Sequence, residues 1–135
     1  MLKYIQIILV VLPFWGISQT EVVYVVDKNK VAEFAKEVFF DCDQYAQEVY
    51  FEDYQYMIEQ VEILILDDQE KLNQFPLLST IMLKNKCNKT MEYDTESKFS
   101  KDTFNPLKYF FPFYTENTKL YHVDGTNYVI RIKGN

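Results

Sequence analysis

The sequence predicts a single α+β domain: an antiparallel sheet of four to six strands, one long amphipathic helix packed on a face, and a C-terminal β-hairpin. Two observations carry this prediction. Lys119 to Lys133 contains two alternating apolar segments joined by Asp124-Gly125, and Asp-Gly between such segments is a strong hairpin signal. Upstream, apolar residues recur at helical spacing from Lys30 to Tyr50, with strand-like runs on both sides.

The N-terminal residues are interpreted as a secretory signal peptide. Lys3 precedes a short apolar run, and Gly16-Ile17-Ser18 supplies the small-x-small pattern of a cleavage site. The run is shorter than the ~20 residues that cross a bilayer. We therefore predict a signal peptide at 1–18 and a single exported domain at 19–135, periplasmic or extracellular and without stable membrane insertion. The alternative is a buried N-terminal strand or helix.

The first elements of the domain are a strand and the long helix. EVVYVVD, at Glu21 to Asp27, is typical of a strand covered on both faces. Asn29 is placed to cap the helix of Lys30 to Tyr50. Phe40 lies opposite the apolar stripe of this helix, which indicates a kink or a peripheral contact. The stripe consists of Val31, Phe34, Ala35, Val38, Cys42, Tyr45, Ala46 and Val49.

After the long helix the sequence predicts shorter elements. Phe51 to Gln60 fits either a helix or a strand, and VEILIL, at Val61 to Leu66, reads as a largely buried strand. Asp67-Asp68-Gln69-Glu70 has the spacing of a capping box and opens a short helix that Pro76 ends. Leu78 to Lys84 alternates like a further strand.

A long polar connection, Asn85 to Asn105, follows the last of these strands. Such a connection in a compact domain is usually functional or mobile. Asn105-Pro106 then opens a short helix, with Asn as the cap and Pro in the first position, and Pro112 ends it.

The hairpin has a definite predicted register. If Asp124-Gly125 is a two-residue loop, Val123 lies opposite Thr126 and Tyr121 opposite Tyr128. An isolated hairpin is marginally stable in water, so the upstream elements must cover its apolar face. The order of a strand, a long helix and several strands resembles the cystatin-like arrangement in outline. The glutamine-valine-glycine motif of cystatins is not in the sequence, so the resemblance covers topology and implies no inhibitory residues.

The net charge of the chain bears on which classes of partner it can bind. The formal net charge of −6 argues against nucleic acid and against an anionic membrane surface. Glu21 to Glu70 carries −11 and Lys71 to Asn135 carries +4, so the two halves can attract each other; the alternative is a solvated acidic helix face. Arg131 is the single arginine among many lysines, a usage typical of an AT-rich, bacterial genome.

Cys42 and Cys87 are predicted to form a disulfide, since an exported chain folds in an oxidising compartment. The alternative is two buried thiols. A catalytic thiolate is disfavoured, because Asp41 and Asp43 would raise the pKa of the Cys42 thiol.

No catalytic, metal-binding or cofactor-binding residues are assigned. His122 is the only histidine and lies on a predicted exposed strand face, where a functional role is the less common outcome. The three glycines leave no material for a phosphate-binding loop. The acidic pairs lack the spaced oxygens of a calcium loop.

The aromatic segment Tyr109, Phe110, Phe113 and Tyr114, with the neighbouring polar loop, is the candidate contact surface. The alternative is that these rings belong to the core. The sequence thus predicts a non-catalytic binding or interaction module for an unknown protein or envelope partner. The alternatives are a small secreted hydrolase that uses converging carboxylates, for which no spacing argues, and a purely structural envelope component.

Overall fold

The computed structural model describes residues 7–14, 17–42 and 49–135. The helices and strands follow the chain as β1 (Ile7–Phe14), β2 (Ile17–Val25), α1 (Val31–Val38), α2 (Phe51–Glu59), β3 (Val61–Ile65), α3 (Gln69–Leu72), β4 (Lys119–His122) and β5 (Tyr128–Ile132). Short 3₁₀ turns lie at Lys28–Lys30, Leu78–Thr80 and Pro106–Lys108. The protein is an α+β protein.

The strands form one antiparallel sheet in the order β1-β2-β3-β5-β4. β3 lies at the centre, because it pairs with Val22–Val25 of β2 on one side and with β5 on the other. Neighbouring residues of β3, Ile63 and Leu64, point to opposite faces and are both buried. The expectation of strands at Val61 to Leu66 and Glu21 to Asp27 is confirmed, with ends at Ile65 and Val25.

Each face of the sheet packs on its own hydrophobic cluster. The larger cluster lies under α1, α2 and the 3₁₀ turn at Pro106–Lys108, and it receives the row Tyr24, Ile63, Ile130 and Tyr121. The smaller cluster lies under α3 and contains Val23, Leu64, Leu72 and Val129. Complete burial of such an aliphatic side chain contributes about 1.5–3 kcal/mol, so the sheet is held from both sides.

The prediction of one long helix is wrong, because α1 ends at Val38. In a continuing helix Asp41 N–H would donate to the carbonyl of Glu37. Instead it donates to the carbonyl of Cys87 at 2.8 Å, and the Asn88 amide donates to the Glu37 carbonyl at 2.7 Å. The polar connection thus caps α1 from outside. The inward stripe is confirmed for the four buried residues of α1 (Val31, Phe34, Ala35 and Val38), while residues 43–48 lie outside the described residues.

Three other predictions for this part of the chain can now be compared with the structure. The chain turns at Phe39–Asp41, and Phe40 is exposed at 67%. Phe51–Glu59 is helical, which decides between the helix and the strand. The cystatin-like outline depended on a long helix after the first strand, and α1 is only 8 residues long.

The capping predictions have mixed outcomes. Asn105 accepts from Leu107 N–H as predicted, but the element it opens is a 3₁₀ turn that ends at Lys108, before Pro112. The capping-box spacing predicts a cap at Asp67, whereas the cap of α3 is Asp68, which accepts from Lys71 N–H. Asn29 does not cap α1: the N-cap position of α1 is Lys30, without a side-chain bond, and the Asp27 carboxylate caps the preceding 3₁₀ turn by accepting from the Asn29 N–H. Leu78 to Lys84 is not a strand: it contains a 3₁₀ turn and a single antiparallel bridge at Leu83.

The C-terminal hairpin is displaced by two residues from the predicted register. Tyr121 lies opposite Ile130 rather than Tyr128, because Val123 N–H donates to the Tyr128 carbonyl and the loop is longer than two residues. The Thr126 hydroxyl holds this loop by donating to the Val123 carbonyl and accepting from Tyr128 N–H. A displacement of two keeps every side chain on its predicted face.

Gly125 adopts φ +75° in this loop, and Gly125→Ala is expected to lower the free energy of unfolding by about 1–2 kcal/mol, the cost of a left-handed conformation for an L-residue. A Cβ there would also meet the Glu96 carboxylate at 2.9 Å and the Glu96 Cβ at 3.1 Å; the carboxylate end can move away. Urea unfolding of Gly125→Ala with and without Glu96→Ala separates the two causes. The same loss in both backgrounds is expected, and unchanged stability would contradict a left-handed Gly125.

The predicted signal peptide overlaps β1. Residues 1–6, Trp15 and Gly16 lie outside the described residues, whereas Ile7–Phe14 pairs with β2 along its whole length. Cleavage before Gln19 stays a prediction. Within the described ranges, no helix is long and apolar enough to cross a membrane.

Candidate interaction site

The structure divides the predicted aromatic contact surface between core and solvent. Tyr109 and Phe113 are 0% and 3% exposed and lie in the main core. Phe110 and Tyr114 are 56% and 61% exposed. The four rings therefore do not form one surface, since successive side chains of an extended segment point in opposite directions.

Phe110 belongs to a short two-stranded ribbon that the sequence did not predict. Leu83 pairs antiparallel with Tyr109, and the flanking backbone bonds run from Lys84 N–H to the Lys108 carbonyl and from Phe110 N–H to the Met82 carbonyl. Leu83 and Tyr109 point into the core. The alternation of side chains places four residues on the opposite side, and we call these the outer ribbon face: Met82, Lys84, Lys108 and Phe110.

The outer ribbon face combines apolar exposure with a cation. Met82 is 69% exposed and Phe110 is 56% exposed. The Lys84 ammonium lies over the Phe110 ring, 5.3 Å from its centroid, and 5.9 Å from that of Phe113. Burial lowers the pKa of Lys84, because removal of water disfavours the charged form. Lys84 has no ion pair with a carboxylate in the described part of the chain.

Lys108 joins this face to a polar cleft of about 220 Å³. Its ammonium lies 3.2 Å from Asp94 Oδ2, and both side chains are largely buried. The cleft separates the end of α1 from the polar connection. The lining residues are Glu37, Asn88, Thr90, Met91, Glu92, Tyr93, Asp94, Lys98 and Lys108.

Asp94, one of the lining residues, is bonded to the buried Tyr109. The Tyr109 hydroxyl donates to Asp94 Oδ2 at 2.6 Å, and Asp94 N–H donates back to the hydroxyl oxygen at 2.9 Å. Burial, and then the neighbouring Asp94 charge, raises the pKa of Tyr109 far above its usual value. The hydroxyl therefore stays protonated, and Tyr109, Asp94 and Lys108 form a network in which each member already has a partner.

The other carboxylates of the cleft also have partners. Glu92 forms an ion pair with Lys98, and Glu37 accepts from the Asn105 amide at 2.8 Å. A general base needs a carboxylate that can reach a substrate proton. The hydrolase alternative therefore gains no support from this cleft.

His122 and the cysteines have structural contacts. His122 is buried, against the expectation of an exposed face, and its Nε2 lies 2.6 Å from the Thr126 carbonyl. Since a carbonyl only accepts, Nε2 carries the proton.

Cys42 and Cys87 form the predicted disulfide, with their Cα atoms 5.4 Å apart. In the described ranges, no three His, Cys, Asp or Glu side chains converge as a metal site would require.

Sequence reasoning missed Met82, Lys84 and Lys108. The available signal was Met82, an apolar residue at the position that alternates with the buried Leu83. What the alternation did not reveal is the partner segment, because a bridge across about 25 residues of polar chain depends on tertiary contacts.

The chain matches no protein-family model, no curated protein and no solved structure. Geometry, burial and charge are the observations that bear on its function.

Proposed function

We propose that the protein is a non-catalytic binding module that recognises a protein partner through the outer ribbon face. The observation that carries the proposal is the position of Lys84, a half-buried cation without an ion pair among the described residues, over the exposed Phe110 ring and next to the exposed Met82. The partner we infer is a peptide segment that presents a bulky apolar side chain next to a carboxylate.

The two kinds of contact would contribute differently. Burial of an exposed Met or Phe side chain contributes about 1.5–3 kcal/mol from the hydrophobic effect, so Met82 and Phe110 would supply most of the affinity. A carboxylate of the peptide next to the Lys84 ammonium would offset the loss of hydration that burial imposes on this charged group. That contact favours one orientation of the peptide and disfavours partners without an acid group.

The disulfide supports the placement of this module outside the cytoplasm. Disulfides persist in oxidising compartments such as the periplasm and the extracellular space. Together with the predicted cleavage before Gln19, the Cys42–Cys87 bridge favours a protein or envelope partner that is itself exported.

The test is a selection of peptides from a random displayed library, followed by titration of the selected peptides. We expect them to carry an apolar residue beside Asp or Glu. Lys84→Met and Phe110→Ser should each weaken binding about tenfold or more, equal to about 1.4 kcal/mol. Lys86→Met is the matched control, because Lys86 is an exposed lysine two positions along the same segment, and it should bind as the wild type does. Equal binding by Phe110→Ser, or selection of no peptide, would contradict the proposal.

A further inference from the structure

The two edges of the sheet are protected in different ways. At the β4 edge, His122 N–H donates to the Pro76 carbonyl at 2.8 Å and Leu77 forms a parallel bridge with His122. At the other edge, β2 is covered by β1. β1 is the segment that the predicted cleavage before Gln19 removes.

Removal of β1 would leave β2 as an unpaired edge strand. β1 pairs with β2 over 8 residues, from Ile7 opposite Tyr24 to Phe14 opposite Ile17. On its inner side β2 meets β3 only from Val22 to Val25. The backbone groups of Gln19 to Tyr24 that face β1 would then lack a partner, and such an edge is a template for the addition of another strand.

The sequence of β1 shows which kind of strand can pair with the outer edge of β2. β1 has the sequence IILVVLPF, an apolar strand without charge, and it lies antiparallel to β2. A second copy of the processed chain offers a strand of the same kind, since Val22 to Val26 reads VVYVV. Pro76 and Leu77 already pair with the His122 end of β4, so within the described sheet β2 is the longer edge left free in each copy.

We infer that the processed protein forms a two-fold dimer in which β2 of one copy pairs antiparallel with β2 of the other, and that residues 7–14 block this pairing before cleavage. The pairing is isologous and closes on itself, so a dimer forms rather than a filament. The two sheets become one continuous sheet, with an outer ribbon face in each half. The inference depends on the predicted signal peptide but not on the proposed peptide binding.

The test compares the mass in solution of the exported protein with that of the unprocessed full chain, by sedimentation velocity. The exported protein is expected to have twice the mass of one chain, and the full chain to be a monomer. A monomeric exported protein would overturn the inference. So would a full chain that dimerises equally, or an intact mass showing that export leaves Met1 in place.

A matched pair of variants locates the interface. Glu21→Pro removes a backbone N–H outside the segment that pairs with β3, and proline interrupts pairing at a strand edge. Glu21→Ala removes the same charge without this effect. We expect Glu21→Pro to be monomeric and Glu21→Ala dimeric, both with wild-type circular dichroism and wild-type peptide binding at Phe110. A dimeric, folded Glu21→Pro would contradict pairing through β2, whereas loss of peptide binding alone would count only against the proposed function.

Discussion

Replacement of both cysteines, Cys42→Ser with Cys87→Ser, is expected to lower the free energy of unfolding by about 4 kcal/mol. The bridge closes a loop with a sequence separation of 45, and in the chain-entropy model a loop of this length restricts the unfolded chain by about that amount. The bridge also holds the contacts that end α1, from Asp41 to Cys87 and from Asn88 to Glu37. The total free energy of unfolding of a small domain is about 5–15 kcal/mol, so loss of the bridge would remove a large share of it.

Urea unfolding followed by circular dichroism measures this effect, and a reductant supplies the control. Reduction of the wild-type protein should lower its midpoint to that of the double variant, and should leave the double variant unchanged. If the double variant were as stable as the bridged protein, the Cys42–Cys87 bridge would not contribute to stability as proposed.

Tyr109 is the second position at which a single change is expected to have a large effect. Tyr109→Ala removes a fully buried ring that contacts Tyr93, Phe104 and Phe111, and truncation of a buried aromatic typically costs about 3–5 kcal/mol. Tyr109→Phe keeps the ring but leaves Asp94 without the hydroxyl, for an expected loss of about 1–3 kcal/mol. The difference between the two variants separates packing from the hydrogen bond.

A matched control is Tyr121→Phe. Tyr121 is also a core tyrosine, 7% exposed, but its hydroxyl has no hydrogen-bond partner among the described residues. We expect Tyr121→Phe to lie within about 0.5 kcal/mol of the wild type in urea unfolding, the range of substitutions that disturb no specific contact. Equal losses for Tyr109→Phe and Tyr121→Phe would contradict a stabilising bond between Tyr109 and Asp94.

The same hydroxyl predicts a dependence of stability on pH. The pKa of Tyr109 is raised above its usual value of 10.0 in the folded protein, by burial and by Asp94. Above about pH 10 the unfolded chain therefore binds fewer protons than the folded one, and stability falls as the pH rises, by up to about 1.4 kcal/mol per pH unit from this one group. Tyr109→Phe should show a shallower decline above pH 10. Other tyrosines with a raised pKa, among them Tyr54, Tyr114 and Tyr121, contribute to the remaining slope.

The end of α1 shows where local reasoning stops. The apolar period continues through Cys42 and Val49, and nothing within the segment forbids a helix there. The helix ends because Cys87 and Asn88, about 50 residues downstream, take the Asp41 N–H and the Glu37 carbonyl. A helical period reports which face is apolar, and it does not report a competing partner from elsewhere in the chain.

The candidate site likewise depends on contacts that local sequence patterns do not predict. Composition identified an aromatic segment, but the alternation of Tyr109, Phe110 and Phe111 in an extended backbone puts only Phe110 of these three in solvent. Met82 and Lys84 join Phe110 through pairing with a segment on the far side of the polar connection. Pairing across such a distance leaves no periodic trace in the sequence.

Features that depend on neighbouring residues were predicted correctly from the sequence: the α+β class, the buried strand at Val61–Ile65, the cap at Asn105, and the two faces of the hairpin. The two cysteines of the sequence also determined which residues form the bridge. Contacts between distant parts of the chain set where α1 ends, how far the hairpin loop extends, and which aromatic rings reach solvent. These features escape local patterns because a backbone group or a side chain bonds to whatever partner the fold brings nearest, and those partners lie far away along the chain.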